Sequence, residues 1–425
     1  MTSTPIDIVI LTNGPGEVAT WVKPVVQSLS QKSLNVRISV MLSPCPHASG
    51  QEHVTLAGYP EIDRVQSAPH FFKFLLTGRT ADSWEWHPQG VVVFLGGDQF
   101  YTVLVAKRLG YRSATYAEWD ARWPSLIDRF GVMQAALIHG APARHRHKFT
   151  LVGDLMADVQ AAAERTDITR ALGGSADDEI IGFLPGSKPV KLSMGVPLLL
   201  AIAQILHSKH PQAQYVIGVA PNLTLPELTR YADPAINPAV LTFNSPLAEL
   251  VEPEQGLAYL KIENGPKVFL WQRFPALDLF SQCTLCFTTV GANTAQLGAL
   301  ATPMIVLLPT QQLDGLKVLD GAPGLLARLP GVGAIARKLI NPIIARAITK
   351  SGKRFAWPNI WAQREVVPEL LGPITATDAA TVAHSYLTCP EKLIDMRRAL
   401  SELCNADGAA DKMANLILET VNYPK

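Results

Sequence analysis

Asp98 is the first candidate for chemistry in this sequence of 425 residues. It follows the apolar run 91–95 and two glycines, and an apolar helical pattern begins directly after it. The residue should therefore lie where a buried strand ends and a helix starts. A carboxylate in that position can cap the helix, or it can act as a general base towards a hydroxyl group if its surroundings raise its pKa. The sequence alone leaves both interpretations open.

A second loop combines small residues with a cation. Gly186, Ser187 and Lys188 follow the apolar run 179–184. Backbone N–H groups of such a loop can surround a phosphate, and the lysine ammonium group can neutralise it. The spacing of a Walker loop is absent. A basic loop without a ligand is the alternative.

Two further loops, 13–17 and 290–296, place glycine at the start of a predicted helix. Glycine lets the backbone turn sharply, and the free N–H groups of the following helix can approach an anion. A tight turn in the first loop and close packing of a helix on a sheet in the second explain the same residues without a ligand. Neither loop matches the GxGxxG dinucleotide fingerprint. The residues concerned are Asn13, Gly14, Gly16 and Glu17, and then Gly291, Asn293, Thr294 and Gln296.

Segment 321–354 contains no Asp or Glu, and Leu, Ile and Ala separate its basic residues at near-helical spacing. A basic amphipathic segment of this kind is typical of proteins that bind the surface of an anionic membrane. The alternative is a helix that packs on the domain with a basic outer face, and the absence of acidic residues favours the membrane. The candidate surface residues are Arg328, Arg337, Lys338, Arg346 and Lys350.

Short apolar runs alternate with helical patterns in two series, separated by the polar segment 164–178. This alternation predicts an α/β fold with two doubly wound, Rossmann-like domains, 1–165 and 178–375, that face each other across a cleft. Ligands of such sheets bind at the carboxyl ends of the strands, where the four loops lie. Helices in 376–425 could return to the first domain. The predicted strands are 6–11, 36–42, 91–95, 113–116, 132–137, 149–152, 179–184, 215–219, 267–271, 283–288 and 304–308.

Composition excludes several classes of protein. The net charge of +1 argues against a protein that coats nucleic acid. Five scattered cysteines do not suggest a disulfide framework, and the apolar run around Cys283 and Cys286 predicts a buried strand rather than a zinc site. The N-terminus lacks the basic region and cleavage site of a signal peptide, and no uninterrupted apolar stretch reaches the length of a membrane span. We therefore expect a cytoplasmic protein without a bound metal.

Taken in order, these loops resemble those of lipid-A-disaccharide synthase, a family of glycosyltransferases with two Rossmann-like domains of the GT-B type. The loop at Gly16 and Glu17 is similar to the family's Gly-Glu turn, and Asp98 lies in an element similar to its Pro-Asp-Phe element. The run LPGSK at 184–188 resembles the family's LPGSR. The most specific stretch is PNIWAQREVVPELL at 358–371, which is similar to the family's PNILAGREVVPELL almost residue for residue.

The resemblance implies an inverting glycosyltransferase that needs no metal or other cofactor, with UDP held by the C-terminal half. Asp98 and Glu17 are then the catalytic candidates. A lipid acceptor would be used at the cytoplasmic face of the membrane, where the protein would be peripheral. The donor-side residues are Gly186, Ser187, Lys188, Gly291, Asn293, Thr294, Gln296, Asn359, Arg364 and Glu365, and the acceptor-side loops contribute Asn13, Gly14, Gly16, Trp21 and Asp154.

Four positions depart from the family's pattern. Trp21 replaces an Asp, Asp154 replaces a His, Lys188 replaces an Arg and Gln296 replaces a Glu. Because the acceptor side changes more than the donor side, we expect an acceptor other than the acylated glucosamine of lipid A. A UDP-sugar 2-epimerase and a non-catalytic nucleotide-sugar-binding protein are the alternatives. The sequence does not distinguish a monomer from a homodimer.

Overall fold

The computed structural model describes residues 5–32, 35–45, 48, 50–160, 168–175, 178–309, 354–403 and 408–423. The chain divides into two compact units, of which the first is Met1–Glu164 with Cys404–Lys425 and the second is Arg165–Leu403. The basic segment 321–354 falls outside the described residues except for Arg354. The membrane-surface role of Arg328, Arg337, Lys338, Arg346 and Lys350 therefore stays a prediction.

The first unit is built on a parallel sheet. Its strands are β1 (Ile6–Thr12), β2 (Val36–Leu42), β3 (Arg64–Gln66), β4 (Gly90–Phe94), β5 (Arg112–Ala117), β6 (Arg129–Val132) and β7 (Phe149–Leu151). Within the described residues these seven strands follow the order β3-β2-β1-β4-β5-β6-β7. The chain leaves β1 towards one edge and returns beside β1 as β4, with Ile8 opposite Val91. The switch point of this sheet, where ligands of open α/β sheets bind, is therefore at the carboxyl ends of β1 and β4.

The second unit contains a mixed sheet. Its strands are β8 (Ile180–Leu184), β9 (Gln214–Gly218), β10 (Ala248–Val251), β11 (Tyr259–Ile262), β12 (Lys267–Trp271), β13 (Leu285–Thr289), β14 (Met304–Pro309) and β15 (Glu369–Gly372). As far as the structure describes the chain, their order is β10-β11-β12-β9-β8-β13-β14-β15. The pairs β10–β11 and β11–β12 are antiparallel, and the other pairs are parallel. The switch point of this sheet lies between β8 and β13, where Gly182 pairs with Cys286.

Helices cover both sheets. A π-helical turn at Val18–Val22 joins the first two helices of the chain. In the first unit up to β7 they are α1 (Pro15–Glu17), α2 (Lys23–Lys32), α3 (Glu52–Ala57), α4 (Phe71–Thr77), α5 (Gln99–Leu109) and α6 (Ala135–Gly140). The second unit contributes α7 (Ile168–Ala171), α8 (Pro189–His207), α9 (Leu225–Thr229), α10 (Ala239–Thr242), α11 (Leu277–Gln282), α12 (Ala292–Ala299), α13 (Trp357–Ala362), α14 (Ala376–Leu387) and α15 (Pro390–Leu403). The last helix, α16 (Ala409–Val421), belongs to the first unit.

The central strands are apolar on both faces because helices cover both sides of each sheet. Burying each Val, Ile, Leu or Phe side chain stabilises the fold by roughly 1.5–3 kcal/mol. Helix α8 is long and apolar enough to cross a membrane by length and composition alone. Most of it is buried, however, and it packs against α14 in the core of the second unit. Its apolar composition is therefore explained by the core.

The C-terminal helices divide between the two units. Helices α14 and α15 stay with the second unit, whereas α16 packs against α2 in the first. Asp411 of α16 accepts a hydrogen bond from Ser28 Oγ at 3.0 Å and pairs with Lys32 Nζ at 2.7 Å. Asp158 accepts a hydrogen bond from the backbone N–H of Ala410 at 2.6 Å. The end of the chain is thus anchored to the first unit by specific contacts as well as by its apolar face.

Three boundaries differ from the sequence predictions. The predicted strand 132–137 is wrong, because β6 ends at Val132 and α6 follows. A short apolar run such as this one, rich in Ala and Leu, does not distinguish a strand from a helix. The apolar pattern from Pro197 to His207 predicts a helix, and the observed helix α8 begins earlier, at Pro189, since a proline is well tolerated in the first turn. Cys283 ends α11, and only Cys286 lies in the strand.

A buried ionic network holds the amino end of β1. Asp7 is fully buried and accepts hydrogen bonds from Arg37 Nε at 2.7 Å and from Arg37 Nη2 at 2.9 Å. The Tyr111 hydroxyl and the backbone N–H of His87 donate to the same carboxylate, at 2.8 and 2.7 Å. Burial alone would raise the pKa of Asp7, but these hydrogen bonds outweigh it and lower the pKa. This network lies at the sheet edge opposite to the switch point, so it supports the scaffold.

Candidate functional site

The loops after β1 and β4 touch each other at the first switch point. Gly96 and Gly97 have φ angles of +134° and +104°, which favour glycine. A Cβ atom on Gly96 would lie 3.1 Å from Glu17 Cβ, and one on Gly97 would lie 2.7 Å from Ser43 Oγ. Gly97 therefore lets the β4 loop pass against Ser43, and Gly96 lets it pass directly against Glu17. This contact brings the predicted residues Gly16 and Glu17 to the edge that carries Asp98.

Asp98 is the N-cap residue of α5, and its Oδ1 accepts a hydrogen bond from the backbone N–H of Phe100 at 2.9 Å. The capping interpretation is therefore present in the structure. The side chain is exposed to solvent, so a substrate hydroxyl can still reach the carboxylate. The two interpretations of Asp98 are thus compatible.

Glu118 is a carboxylate of this edge that the sequence analysis did not identify. It follows directly after β5 and is largely buried. Burial, with the nearby charges of Asp154 and Glu17, raises the pKa of Glu118 to about 7, although a hydrogen bond from the side chain of Trp119 opposes the rise. A carboxyl group that titrates near neutral pH suits proton transfer. The sequence signal that could have identified Glu118 was its position after the predicted strand 113–116, because ligands of open α/β sheets bind at the carboxyl ends of the strands.

Trp21 and Asp154 lie around the buried ring of Tyr116. The Trp21 ring meets the Tyr116 ring edge-on at 5.2 Å. The Tyr116 hydroxyl donates to Gly153 O and accepts from Leu155 N–H, each at 3.2 Å, which places Asp154 beside β5. Burial raises the pKa of Asp154, while a hydrogen bond from Met156 N–H opposes this. The first unit therefore gathers three carboxylates, Glu17, Glu118 and Asp154, near one strand end.

Two buried polar atoms of the same edge have no hydrogen-bond partner among the described residues. They are Asn13 Oδ1 and Trp21 Nε1. Buried polar atoms are nearly always paired in folded proteins, and sites that bind ligands are among the exceptions. Both residues belong to the predicted acceptor-side loops, with Gly14 and Gly16 between them in the chain.

At the second switch point, the loop of Gly186, Ser187 and Lys188 follows β8, and Gly291 follows β13. Gly186 and Gly291 have φ angles of +99° and +138°. Lys191, which the sequence analysis did not single out, lies between them and donates from Nζ to Val290 O at 2.6 Å. The predicted residues Gly186, Ser187, Lys188 and Gly291 therefore lie around a fifth residue, the partly buried Lys191.

The side chains predicted on α12 divide into two kinds. Asn293 and Gln296 are partly exposed on its first turns. Thr294 is buried, donates from Oγ1 to Gly291 O at 2.9 Å and accepts from Trp357 N–H at 3.1 Å. Thr294 thus holds α12 to α13, and we reassign it from the donor site to the scaffold.

Asn359 uses all of its hydrogen-bonding capacity inside the second unit. It is 2% exposed, and its Nδ2 donates to Val367 O at 2.8 Å and to Glu369 Oε1 at 2.7 Å. Its Oδ1 accepts from the backbone N–H groups of Val366 and Val367 at 2.6 and 2.9 Å. An amide has two donors and about two acceptor positions, so none is left for a ligand.

The stretch 358–371 therefore owes its most distinctive residues to the fold. Glu369 also accepts hydrogen bonds from Phe355 N–H and Ala356 N–H, which caps the start of α13. Arg364 and Glu365 lie in the exposed turn that follows α13. They are separate from the buried hydrogen bonds of Asn359, and they stay candidates for ligand contact.

We expect Asn359→Ala to destabilise the second unit without changing the UDP binding that the family resemblance implies. Removing the amide leaves two backbone N–H groups and a carboxylate oxygen without their partner, which should cost about 3 kcal/mol. Urea unfolding followed by circular dichroism measures the loss, and calorimetry below the transition measures UDP binding. Asn293→Ala is the matched control for stability alone, because it removes the same side chain from a partly exposed position. Weakened UDP binding by a fully folded Asn359→Ala would return this residue to the donor site.

An exposed apolar face of the first unit borders Asp98. Helix α5 begins directly after Asp98, and its first rings contact both neighbours: Phe100 lies 4.9 Å from Trp123, and Tyr101 lies 6.2 Å from Phe72. Large apolar side chains that lie together on a protein surface are candidates for contact with a partner. The apolar face consists of Phe72, Leu76, Trp119, Trp123 and Leu126, and exposed basic residues around it are Lys73, Arg79, Lys107, Arg108 and Arg122.

Among the described residues, no group of three or more His, Cys, Asp or Glu side chains is arranged to hold a metal ion. The absence of metal and cofactor therefore stays an expectation. The partly buried carboxylates at the first switch point can transfer protons. The lysines at the second switch point can neutralise anions.

Two sheets of this topology, one in each compact unit, define a protein with two Rossmann-like α/β domains of the GT-B type. Solved structures with this fold include a protein from Listeria monocytogenes proposed to be a UDP-N-acetylglucosamine 2-epimerase, with a TM-score of 0.52 and 11% identity over 99% of this chain and 98% of that chain. A complex of S. aureus MnaA with UDP gives a TM-score of 0.50 and 10% identity over 98% of this chain and 97% of that chain. The fold class predicted from the sequence is confirmed.

Sequence comparison shows a weak homology to lipid-A-disaccharide synthases. The enzyme of Geobacter metallireducens is 21% identical over 275 residues, which are 64% of this chain and 56% of that protein. The enzyme of Anaeromyxobacter sp. (strain K) is 41% identical over 61 residues, which are 14% of this chain and 16% of that protein. The chain thus spans 56% or less of the length of these relatives. No protein-family model matches the chain.

Proposed function

We propose that the protein is an inverting glycosyltransferase that moves a sugar from a UDP-sugar to a lipid acceptor at the cytoplasmic surface of a membrane. The observation that carries the proposal is the second switch point. Two glycines with positive φ angles and two lysines lie there, in and beside the loops that follow β8 and β13. Such an edge suits a diphosphate. The likeness to lipid-A-disaccharide synthases supports the transferase, and the UDP bound to S. aureus MnaA supports the nucleotide.

The second unit would hold the donor and stabilise its leaving group. When the bond between the anomeric carbon and the diphosphate oxygen breaks, its electron pair stays on that oxygen as negative charge. Lys188 and the N–H groups at the start of α8 can stabilise this charge without a metal. Asn293 and Gln296, both partly exposed on α12, are placed to donate hydrogen bonds to the nucleotide sugar.

The first unit would remove the proton from the acceptor hydroxyl. Two carboxylates compete for this role, namely Asp98 and Glu118. The carboxylate of Asp98 is exposed and already caps α5, whereas Glu118 is shielded from solvent and titrates near neutral pH. A general base is most effective when its pKa is close to the working pH. We therefore assign proton removal to Glu118 and the orientation of the hydroxyl to Asp98.

A lipid acceptor is supported by the apolar face next to Asp98. The Trp rings of this face, bordered by Lys and Arg, are suited to the boundary between lipid headgroups and acyl chains. Trp21 and Asp154, which replace an Asp and a His of the lipid-A-disaccharide synthase pattern, lie on this unit. The acceptor is therefore expected to differ from that of the relatives.

The experiment that tests this proposal is sugar transfer to membrane lipids. The purified full chain is incubated with membranes from its own source and a panel of radiolabelled UDP-sugars, and the lipids are then extracted. Label in a lipid band with the wild-type protein, strongly reduced with Glu118→Gln and lowered with Asp98→Asn, would support the transferase and identify its donor. UDP binding without label from any donor would contradict the transferase and favour a non-catalytic binding protein.

Sugar epimerisation is a second candidate, because three carboxylates meet at one strand end of the first unit. Inversion at a sugar carbon needs groups that remove and return a proton, and carboxylates can serve as such groups. The fold shared with UDP-N-acetylglucosamine 2-epimerases agrees with it. Conversion of a UDP-sugar to its epimer with no acceptor present would establish this function in place of transfer.

A further inference from the structure

Lys191 connects the two loops of the second switch point. Its stem packs over Gly186, where a Cβ atom would lie 2.9 Å from Lys191 Cδ. Its ammonium group lies against Gly291, where a Cβ atom would lie 3.0 Å from Lys191 Nζ. Neither glycine can gain a side chain without moving this lysine. The backbone of both loops is thus shaped to keep the Lys191 ammonium group between the ends of β8 and β13.

The charge of Lys191 is not balanced by a carboxylate. Its described hydrogen bond is to Val290 O, and no Asp or Glu among the described residues forms an ion pair with it. Burial lowers the pKa of Lys191, and the like charge of Lys188 lowers it further. A partly buried ammonium group beside a second cation is unfavourable unless an anion binds there. One carbonyl bond leaves two of its three N–H donors for such an anion.

Two neighbouring polar atoms also lack partners: a hydroxyl group, which can donate to an anion, and an amide oxygen, which can accept from a hydroxyl group of the same ligand. Thr289 Oγ1, at the end of β13, and Asn222 Oδ1, in the loop after β9, are buried without a hydrogen-bond partner among the described residues. Asn222 Nδ2 donates to Ser187 O at 3.2 Å, so this amide lies against the β8 loop. At or after the ends of three adjacent strands, β9, β8 and β13, there is therefore either a charged group or a buried polar atom without a hydrogen-bond partner among the described residues.

We propose that Lys191 is a catalytic residue that binds the diphosphate of the donor directly and neutralises the leaving group. The inference rests on the proposed function, because the diphosphate is taken to be that of a nucleotide sugar. The Lys191 ammonium group keeps its proton throughout. The bond from the anomeric carbon to the diphosphate oxygen breaks with its electron pair going to that oxygen, and the acceptor oxygen bonds to the carbon and gives its proton to Glu118.

The test measures the binding of UDP and uridine to the full chain by calorimetry. We expect Lys191→Met to weaken UDP binding by about 10- to 100-fold, because it removes charge-assisted hydrogen bonds to phosphate. Uridine, which has no phosphate, should bind the variant and the wild type alike. Lys209→Met removes the same charge from an exposed lysine just beyond α8, and it should leave both affinities unchanged.

Proton uptake separates direct binding from a structural role. An anion that binds Lys191 raises its lowered pKa, so UDP binding by the wild type should take up protons as the pH is raised from neutral towards the ordinary pKa of lysine. Lys191→Met should lose this uptake, and Lys191→Arg, whose guanidinium group stays charged, should show less of it. Calorimetry in two buffers of different ionisation enthalpy measures it. Equal UDP affinity and uptake in wild type and Lys191→Met would overturn the inference and leave the proposed function standing. Failure of the wild type to bind UDP would overturn both.

Discussion

Glu118→Gln is expected to lower kcat for sugar transfer by about 10²- to 10³-fold, because it removes a positioned general base. The amide keeps the shape of the side chain and cannot accept the proton of the acceptor hydroxyl. Since the pKa of Glu118 is raised to about 7, the wild-type rate should increase with pH up to about that value. Initial rates from pH 5 to 9 measure both effects, and the acidic limb of the profile should be absent in the variant.

Asp98→Asn provides the comparison within the same edge. If Asp98 orients the hydroxyl and Glu118 removes the proton, Asp98→Asn should lower the rate while the acidic limb stays near pH 7. A wild-type profile in which the limb near pH 7 persists in Glu118→Gln and disappears in Asp98→Asn would transfer the role of base to Asp98.

Stability gives an independent check on the same carboxyl group. The folded pKa of Glu118 lies above the ordinary value of about 4.3, so the folded state binds more protons than the unfolded state between these pH values. Wild-type stability should therefore fall as pH rises from about 4.3 to about 7, by up to about 3 kcal/mol. Glu118→Gln should flatten this part of the stability profile and be the more stable protein at pH 8, although it is the less active one.

Asp7→Asn is expected to cost about 3–5 kcal/mol in the free energy of unfolding, because it leaves a partly buried guanidinium group without its carboxylate. Asp7 is the common acceptor for Arg37, Tyr111 and His87 N–H, so one substitution affects β1, β2 and the segment before β4. Urea unfolding at pH 7 followed by circular dichroism measures the loss. Asp120→Asn is the control, because Asp120 pairs with Arg122 at the surface and should change stability by less than about 1 kcal/mol.

The same network predicts acid sensitivity. The folded pKa of Asp7 is lowered, so its contribution is fully present above the unfolded value of about 3.9 and is lost as pH falls through the folded pKa. The difference in stability between wild type and Asp7→Asn should therefore shrink below about pH 4. A difference that stays constant down to pH 2.5 would show that packing, rather than the ionised carboxylate, accounts for the loss.

The strands that form the two switch points could be predicted from the sequence. The runs that became β1, β4, β8 and β13 are short, apolar and followed by glycine, so both their type and their carboxyl ends are evident. The hairpin strands β10 and β11 were missed. They lie at the edge of the sheet with polar residues such as Glu249 and Lys261, and no continuous apolar run marks them.

The residues of the candidate site could be predicted from the sequence only where a charged or polar side chain lies close to a glycine in the same loop. Lys188 lies only two residues after Gly186 in the same loop and was recognised, whereas Lys191 lies one helical turn later, and only the folded helix brings it back between the loops. Glu118 was missed because its significance depends on burial and on Asp154, which lies 36 residues away along the chain. The role of Asn359 in the donor site stays a prediction, but its hydrogen bonds inside the second unit favour the scaffold, which a residue shared with a family's motif can also serve.

The packing of Lys191 between Gly186 and Gly291 makes these three positions dependent on one another during evolution. A methyl group at either glycine would occupy space that the lysine side chain already fills. A relative that carries a larger residue at one of the glycine positions should therefore have a shorter residue at the lysine position. Correlated replacement of residues 186, 191 and 291 among homologues would then mark lineages in which the charge at this strand edge has been supplied by another residue.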